Sequence, residues 1–234
     1  MNMIKNATIL LTGADSPLGQ ALIEECLLRG ARKIYAAGLS MGYLKAIAHR
    51  HEDMVIPLLL DLMNDDSILK ISGACQDINM LINNAGAGLP SSFIRPDASL
   101  QALYEMKVNY IGVLDMINRL VPGLKRNHPS GIINIFAVGS GSNVIRLRTY
   151  CSVKAAGKIM TQAIREELKA ENIQVFGVYP GYASTGSDNA TFFEIVSYAE
   201  IACNICEGLE SGSQDIFPDK ISMERFSNIP ASAN

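Results

Sequence analysis

The sequence predicts an α/β fold: a doubly wound parallel sheet in three layers, with helices on both faces, in a single domain spanning residues 1–234. Short apolar runs of β-forming residues alternate with longer helical patterns along almost the whole chain. Strands alternating with helices at this spacing specify a parallel sheet covered on both faces. The first strand-like run also ends in a glycine-containing turn that leads at once into an amphipathic helix. Right-handed crossovers then place ligands at the carboxyl ends of the strands.

The elements follow in order. Ala7–Leu11 is an apolar strand, and Pro17–Arg29 a helix whose proline suits the first helical position, where its missing N–H would be unpaired anyway. Lys33–Ala37 and Met54–Leu60 are strands flanking the helix Met41–His51, with His49 and His51 near a helix end that favours cations. Asp65–Cys75 is a helix opened by Asp65 and Asp66 as capping residues, and Asn79–Asn83 the next strand. The helical period continues through Ser99–Asn127, strand Gly131–Phe136, helix Tyr150–Asn172, strand Ile173–Val178 and helix Tyr198–Leu209. In Ser211–Asn234 the pattern fades: Asp215-Ile-Phe-Pro reads as a short final strand, and Ile229–Asn234 as a frayed tail.

At 234 residues, 48% apolar and 18% charged, the chain can bury one substantial core. A net charge of −3 gives no basic field, which argues against nucleic acid as a partner. No apolar run approaches the ~20 residues that span a bilayer, so no membrane partner is expected. The opening Met1-Asn-Met-Ile-Lys-Asn leaves no room for a secretory signal, and a cytoplasmic location is expected. The five cysteines are scattered, and Cys203-Asn-Ile-Cys206 lies mid-helix rather than at the helix N-terminus a redox pair uses. No second CxxC or close His pair completes a zinc site, so no metal is expected.

Two features carry chemistry. In Thr12-Gly-Ala-Asp-Ser-Pro-Leu-Gly19 a glycine at the strand end permits a tight turn, and one inside the helix allows close packing on the sheet. The helix N-terminus then offers N–H groups and a positive dipole end to a pyrophosphate. Tyr150 and Lys154 stand four residues apart in a helical stretch, on one face. A free tyrosine has a pKa of about 10, and a fixed neighbouring cation favours its phenolate.

Further motifs fall in order between Ala7 and Pro218: Asp61-Leu62 after the third strand, Asn83-Asn-Ala-Gly86 ending the fourth, Asn109 in Val108-Asn-Tyr-Ile-Gly112, Tyr150 with Lys154, and Pro180-Gly181 with Thr185. Together with the Thr12–Gly19 turn they resemble the TGxxxGxG, NNAG, YxxxK and PGxxxT motifs of the short-chain dehydrogenase/reductases. The resemblance implies a Rossmann-type fold, an NAD or NADP cofactor, and hydride transfer between nicotinamide and a small carbonyl or alcohol substrate. It assigns catalysis to Tyr150 as acid/base, Lys154 as the cation that lowers its pKa, and Asn109 as holder of a proton-relaying water. It assigns cofactor binding to Gly13, Ser16, Leu18, Gly19, Ser40, Asp61, Leu62, Asn84, Ala85, Gly86, Tyr150, Lys154, Pro180, Gly181 and Thr185. The long helices Ser99–Asn127 and Tyr150–Asn172 correspond to those that build the family's homodimers and homotetramers.

The sequence departs from this pattern at two places. Position 17 holds proline where the family usually has glycine, and cofactor binding is expected to survive it. Ala137, thirteen residues before Tyr150, stands where the family places its catalytic serine. Losing one such donor to the substrate oxygen typically costs about 10²–10³ in rate. Ser140 and Ser142 lie just downstream, and Arg146 and Arg148 border the region that would shape the pocket. At the second strand's end, Tyr35-Ala-Ala-Gly-Leu-Ser40 offers neither the carboxylate that binds NAD ribose hydroxyls nor an arginine for the NADP phosphate. Ser40 could bond a phosphate and Asp15 would repel one, which leaves the cofactor form open. Two readings follow: an oxidoreductase with weak or altered activity, or a cofactor-binding sensor, scaffold or non-redox enzyme such as an isomerase or dehydratase.

Overall fold

The computed structural model describes residues 3–88, 92–136, 148–181 and 196–227, with backbone only for 225–227. Within them β1 (Thr8–Thr12), β2 (Lys33–Gly38), β3 (Val55–Leu59), β4 (Met80–Asn83), β5 (Ser130–Ile135), β6 (Ile173–Val178) and β7 (Asp215–Ile216) form one parallel sheet. Its order is β3-β2-β1-β4-β5-β6-β7. The chain builds outward from β1 to β3, then returns to the other flank of β1 with β4. The crevice between β1 and β4 is thus the topological switch point, where open α/β sheets bind ligands.

Among the described residues eight α-helices accompany the sheet, with helices on both of its faces: α1 (Pro17–Leu28), α2 (Met41–His51), α3 (Asp65–Ala74), α4 (Ala98–Met106), α5 (Gly112–Leu124), α6 (Arg148–Leu168), α7 (Tyr198–Ser211) and α8 (Lys220–Ser227). Alternate strand residues feed two apolar cores. Ile9 and Leu11 of β1 pack with Leu22, Ile23 and Cys26 of α1, Ile47 of α2, and Ile205 and Leu209 of α7. Leu10 points the other way, among Ile68 and Ile71 of α3, Met116 and Leu120 of α5, and Met160 and Ile164 of α6. Each fully buried Leu or Ile contributes about 1.5–3 kcal/mol relative to exposure. No helix among the described residues is long and apolar enough to cross a membrane.

The structure differs from the sequence pattern at three helices. The expected single helix Ser99–Asn127 is split by a widened π-turn at Lys107–Ile111, which ends where Gly112 N–H bonds Lys107 O. The cause is Asn109, whose side-chain Nδ2 bonds Glu105 O at 2.8 Å. That carbonyl would otherwise serve the next turn's backbone. At α3 the cap is Asn64, whose Oδ1 accepts the N–H of Asp66 and Ser67 at 2.9 and 3.2 Å; Asp65 and Asp66 lie inside the first turn. Helix α8 carries no clear pattern in the sequence and is capped by Asp219, whose Oδ1 accepts Ser222 N–H at 2.8 Å.

Candidate functional site

The turn after β1 is held from within. Gly13 has φ +63°, a left-handed conformation favouring glycine, and a Cβ there would lie 2.7 Å from Ala85 Cα. Thr12 Oγ1 accepts the N–H of Asn84 and Ala85 at 3.1 and 3.0 Å, which joins the ends of β1 and β4. Asn84 Nδ2 donates to Gly13 O at 2.9 Å and Ser16 Oγ at 3.2 Å. Ser16 caps α1, accepting Gly19 N–H at 3.0 Å. Pro17 takes the first helical position and is exposed. Leu18 follows, and its N–H makes no hydrogen bond to the described residues. A narrow cradle with an unpartnered helix-end donor therefore stands at the switch point, and it suits a phosphate.

Beyond β4 the segment Asn84–Gly88 crosses the second group of residues. Asn109 is buried, accepts Ala87 N–H at 3.2 Å and donates to Ala87 O at 2.8 Å. A Cβ on Gly86 would lie 2.9 Å from Asn109 Oδ1 and 3.2 Å from Lys154 Nζ. A Cβ on Gly88 would lie 2.9 Å from the Tyr150 ring. Lys154 Nζ donates to Ile135 O at 3.2 Å, at the end of β5, and sits 5.4 Å from the Tyr150 ring centroid. Tyr150, Lys154 and Asn109 thus converge on one backbone segment. The Phe136, Tyr179 and Phe217 rings stack beside them, with centroids 5.5 and 5.3 Å apart.

The electrostatics correct one expectation. Burial pushes the Lys154 ammonium down to about 8. Burial, and then electrostatic repulsion of a phenolate by Cys151 and Glu105, push the Tyr150 phenol up rather than down. Burial leads the causes of that rise, because a phenolate there would lose its hydration.

The remaining residues divide. Pro180 is buried at the end of β6, and Gly181 N–H bonds Asp219 Oδ2 at 2.6 Å. Ser40 lies at the start of α2 without a side-chain cap bond, and its N–H donates to Asp15 Oδ2 at 2.8 Å. Asp61 is half-buried, its Oδ1 accepting Met63 N–H at 2.8 Å. Leu62 is buried in the second core against Gly112, so its side chain serves packing. Ala137, Ser140, Ser142, Arg146 and Thr185 lie outside the described residues. The mid-helix cysteines carry thiols pushed up, Cys206 by its bond to Cys26 and by burial, Cys203 by burial.

Three supporting groups escaped the sequence reading. The Thr12 hydroxyl joins two strand ends, and Asp219 holds Gly181. A buried chain also runs from Asn83 Nδ2 to Asn134 Oδ1 at 2.8 Å, and from Asn134 Nδ2 to Thr161 Oγ1 at 2.9 Å. Polar residues at apolar strand and helix positions are the one signal that marks Asn134 and Thr161 in the sequence.

Known proteins place this geometry. A short chain dehydrogenase from Burkholderia cenocepacia J2315 in complex with NADP superposes with a TM-score of 0.89 at 28% identity, over 98% of this chain and 95% of that one. A short chain dehydrogenase/reductase from Burkholderia phymatum in complex with NAD gives 0.84 at 17% identity, over 96% and 92%, and shows the fold alone. An NADP-dependent 3-hydroxy acid dehydrogenase of Schizosaccharomyces pombe is 27% identical over 193 residues, 79% of this chain and 74% of that protein. The short chain dehydrogenase family matches residues 7–193, which include the turn, Asn109, Tyr150 and Lys154. This chain belongs to the short-chain dehydrogenase family.

Proposed function

We propose that the protein is an NAD(P)-dependent oxidoreductase that moves hydride between nicotinamide and a small carbonyl or alcohol substrate, with Tyr150 as its acid/base. One observation carries the reading: the Gly13–Gly19 cradle and the Tyr150–Lys154–Asn109 cluster meet at the β1–β4 switch point, on opposite ends of Asn84–Gly88. The orphan N–H of Leu18 and the close Gly13–Ala85 approach fit a dinucleotide laid across the strand ends. Gly13, Ser16, Leu18 and Gly19 would hold the phosphates. Ser40, Asp61 and Leu62 would border the adenosine. Asn84 to Gly86, Pro180, Gly181 and Thr185 would border the nicotinamide half. NADP and NAD in the two Burkholderia structures, and the NADP-dependent relative, support a nicotinamide cofactor here.

A nicotinamide cofactor held by Gly13–Gly19 and Asn84–Gly86 would supply hydride to a carbonyl carbon, or accept it from an alcohol. Tyr150 gives its phenolic proton to the substrate oxygen as the carbonyl becomes an alcohol. Lys154, titrating near 8, stabilises the phenolate left behind and can return a proton to it. Asn109 clamps Ala87 and so positions the Gly86–Gly88 backbone against both. Ala137 leaves the substrate oxygen with one protein donor fewer, so a reactive carbonyl or slow turnover is expected. The apolar recess lined by Met106, Tyr110, Ala156, Ile159, Met160 and Ala163 supports a homodimer or homotetramer packed through α4 and α6.

The test is a titration with NADH and NADPH followed by fluorescence or calorimetry, and then turnover of activated carbonyls by the wild type and Ala137→Ser. Saturable binding of at least one cofactor is expected. A rise in rate on the order of 10² is expected on restoring the hydroxyl. Absence of binding at millimolar cofactor would remove the reading. Binding without turnover in either protein would favour a sensor, scaffold or non-redox enzyme.

A further inference from the structure

The end of β2 bears no charged side chain that could read an adenosine ribose, since Gly38, Leu39 and Ser40 stand there and Leu39 is 70% exposed. A dinucleotide fold ordinarily places an acidic residue there for the ribose 2′-hydroxyl, or an arginine nearby for a 2′-phosphate. Charge reaches this place by another route. A Cβ built on Gly38 would lie 2.3 Å from Asp15 Oδ1 and 2.6 Å from Asp15 Cγ. The carboxylate of Asp15, carried on the turn between β1 and α1, therefore fills the space that a side chain at 38 would occupy.

Its orientation is fixed. Oδ2 accepts Ser40 N–H at 2.8 Å, and the neighbouring Ala14 N–H bonds Ala37 O at 3.0 Å, so turn and strand end are tied together. Oδ1 takes no hydrogen bond from the described residues and is left as an acceptor. The one cation between Gly38 and Ile47 is Lys45, on exposed surface within α2. We infer that Asp15 is the ribose-reading residue, displaced in sequence from β2 to the turn, and that it selects NAD over NADP; this rests on the cofactor site proposed above. A ribose 2′-hydroxyl can donate to Oδ1. A 2′-phosphate would face a like charge held in place by the Ser40 bond. The inference runs against the NADP named for the Burkholderia cenocepacia and Schizosaccharomyces pombe proteins, so it separates this chain from those relatives.

The experiment is calorimetric titration of the wild type and Asp15→Asn with NADH and NADPH. Asparagine keeps an oxygen for Ser40 N–H and removes the charge. The wild type is expected to bind NADH tighter by roughly tenfold or more, and Asp15→Asn to shrink that ratio by a similar factor, chiefly through tighter NADPH binding. Equal or tighter NADPH binding by the wild type, or an unchanged ratio in Asp15→Asn, overturns the inference while leaving the oxidoreductase reading intact. Failure of both cofactors to bind the wild type removes the cofactor site and the inference with it. Should Asp15→Asn fold poorly, displacement of NADH from the wild type by 5′-AMP and by its 2′-phosphorylated counterpart gives the same comparison. Tighter binding of plain 5′-AMP supports the inference, and the reverse order overturns it.

Discussion

Lys154 holds its ammonium at 3% exposure, with one carbonyl, that of Ile135, as its near partner. Burial lowers it from 10.5 to about 8. Between these values the unfolded chain binds the proton that the folded chain has released, so this residue makes stability rise with pH across that window. Below about 8 the full cost of the buried charge is present. Lys154→Met should therefore stabilise the protein at about pH 7 by on the order of 1–3 kcal/mol, and the gain should fade as pH approaches 10.5. Urea unfolding at the two pH values measures it. A pH-independent difference would show that the lysine's charge is not what the fold opposes. Spacing alone placed Tyr150 and Lys154 on one helical face. It carried no information on depth, and depth sets both of their proton affinities.

At the scale of elements, α6 is registered on the sheet by side-chain amides rather than by apolar contact alone. Asn134 Nδ2 bonds Thr161 Oγ1, which in turn donates to Gly157 O at 2.9 Å, while Asn134 Oδ1 receives Asn83 from β4. Thr161→Val keeps the shape and leaves Asn134 with a buried unpaired donor, a cost of about 1–3 kcal/mol. Chemical denaturation should show the unfolding free energy falling by that amount, and an unchanged value would mean the Asn83–Asn134–Thr161 chain does not register α6. The strands and most helices were legible because period-2 and period-3.6 patterns record which face is buried. The π-turn at Lys107–Ile111 was not, since it arises from one amide, Asn109, competing for Glu105 O. Helix α8 was missed for the same kind of reason: Asp219 starts it through local bonds within an unpatterned stretch.

For the whole molecule, the doubly wound topology followed from alternation, and the position of the site followed from topology. What alternation does not encode is the outer surface of α4 and α6. Leu100 and Leu103 on α4 are 71% and 65% exposed, and Ile159 on α6, which lines the recess described above, is 69% exposed. Exposed apolar side chains of this kind are the surface that the proposed assembly would bury. Ile159→Lys should shift the sedimenting species from an oligomer to a smaller one without altering the circular dichroism of the fold. A wild type that sediments as a monomer at micromolar concentration would remove the proposed assembly.

The hydroxyl of Thr12, bonded to Asn84 and Ala85, has one more consequence. It closes a loop of 72 residues to Asn84, and every strand pair in the sheet is parallel and so joins distant parts of the chain. Loop closure costs entropy before the contact returns any energy, and parallel pairing is intrinsically slow. No short fragment can assemble this cradle in advance of the rest. The proposed cofactor cradle therefore forms only once β1 and β4 have paired, and the fluorescence of a bound nicotinamide is expected to report that pairing.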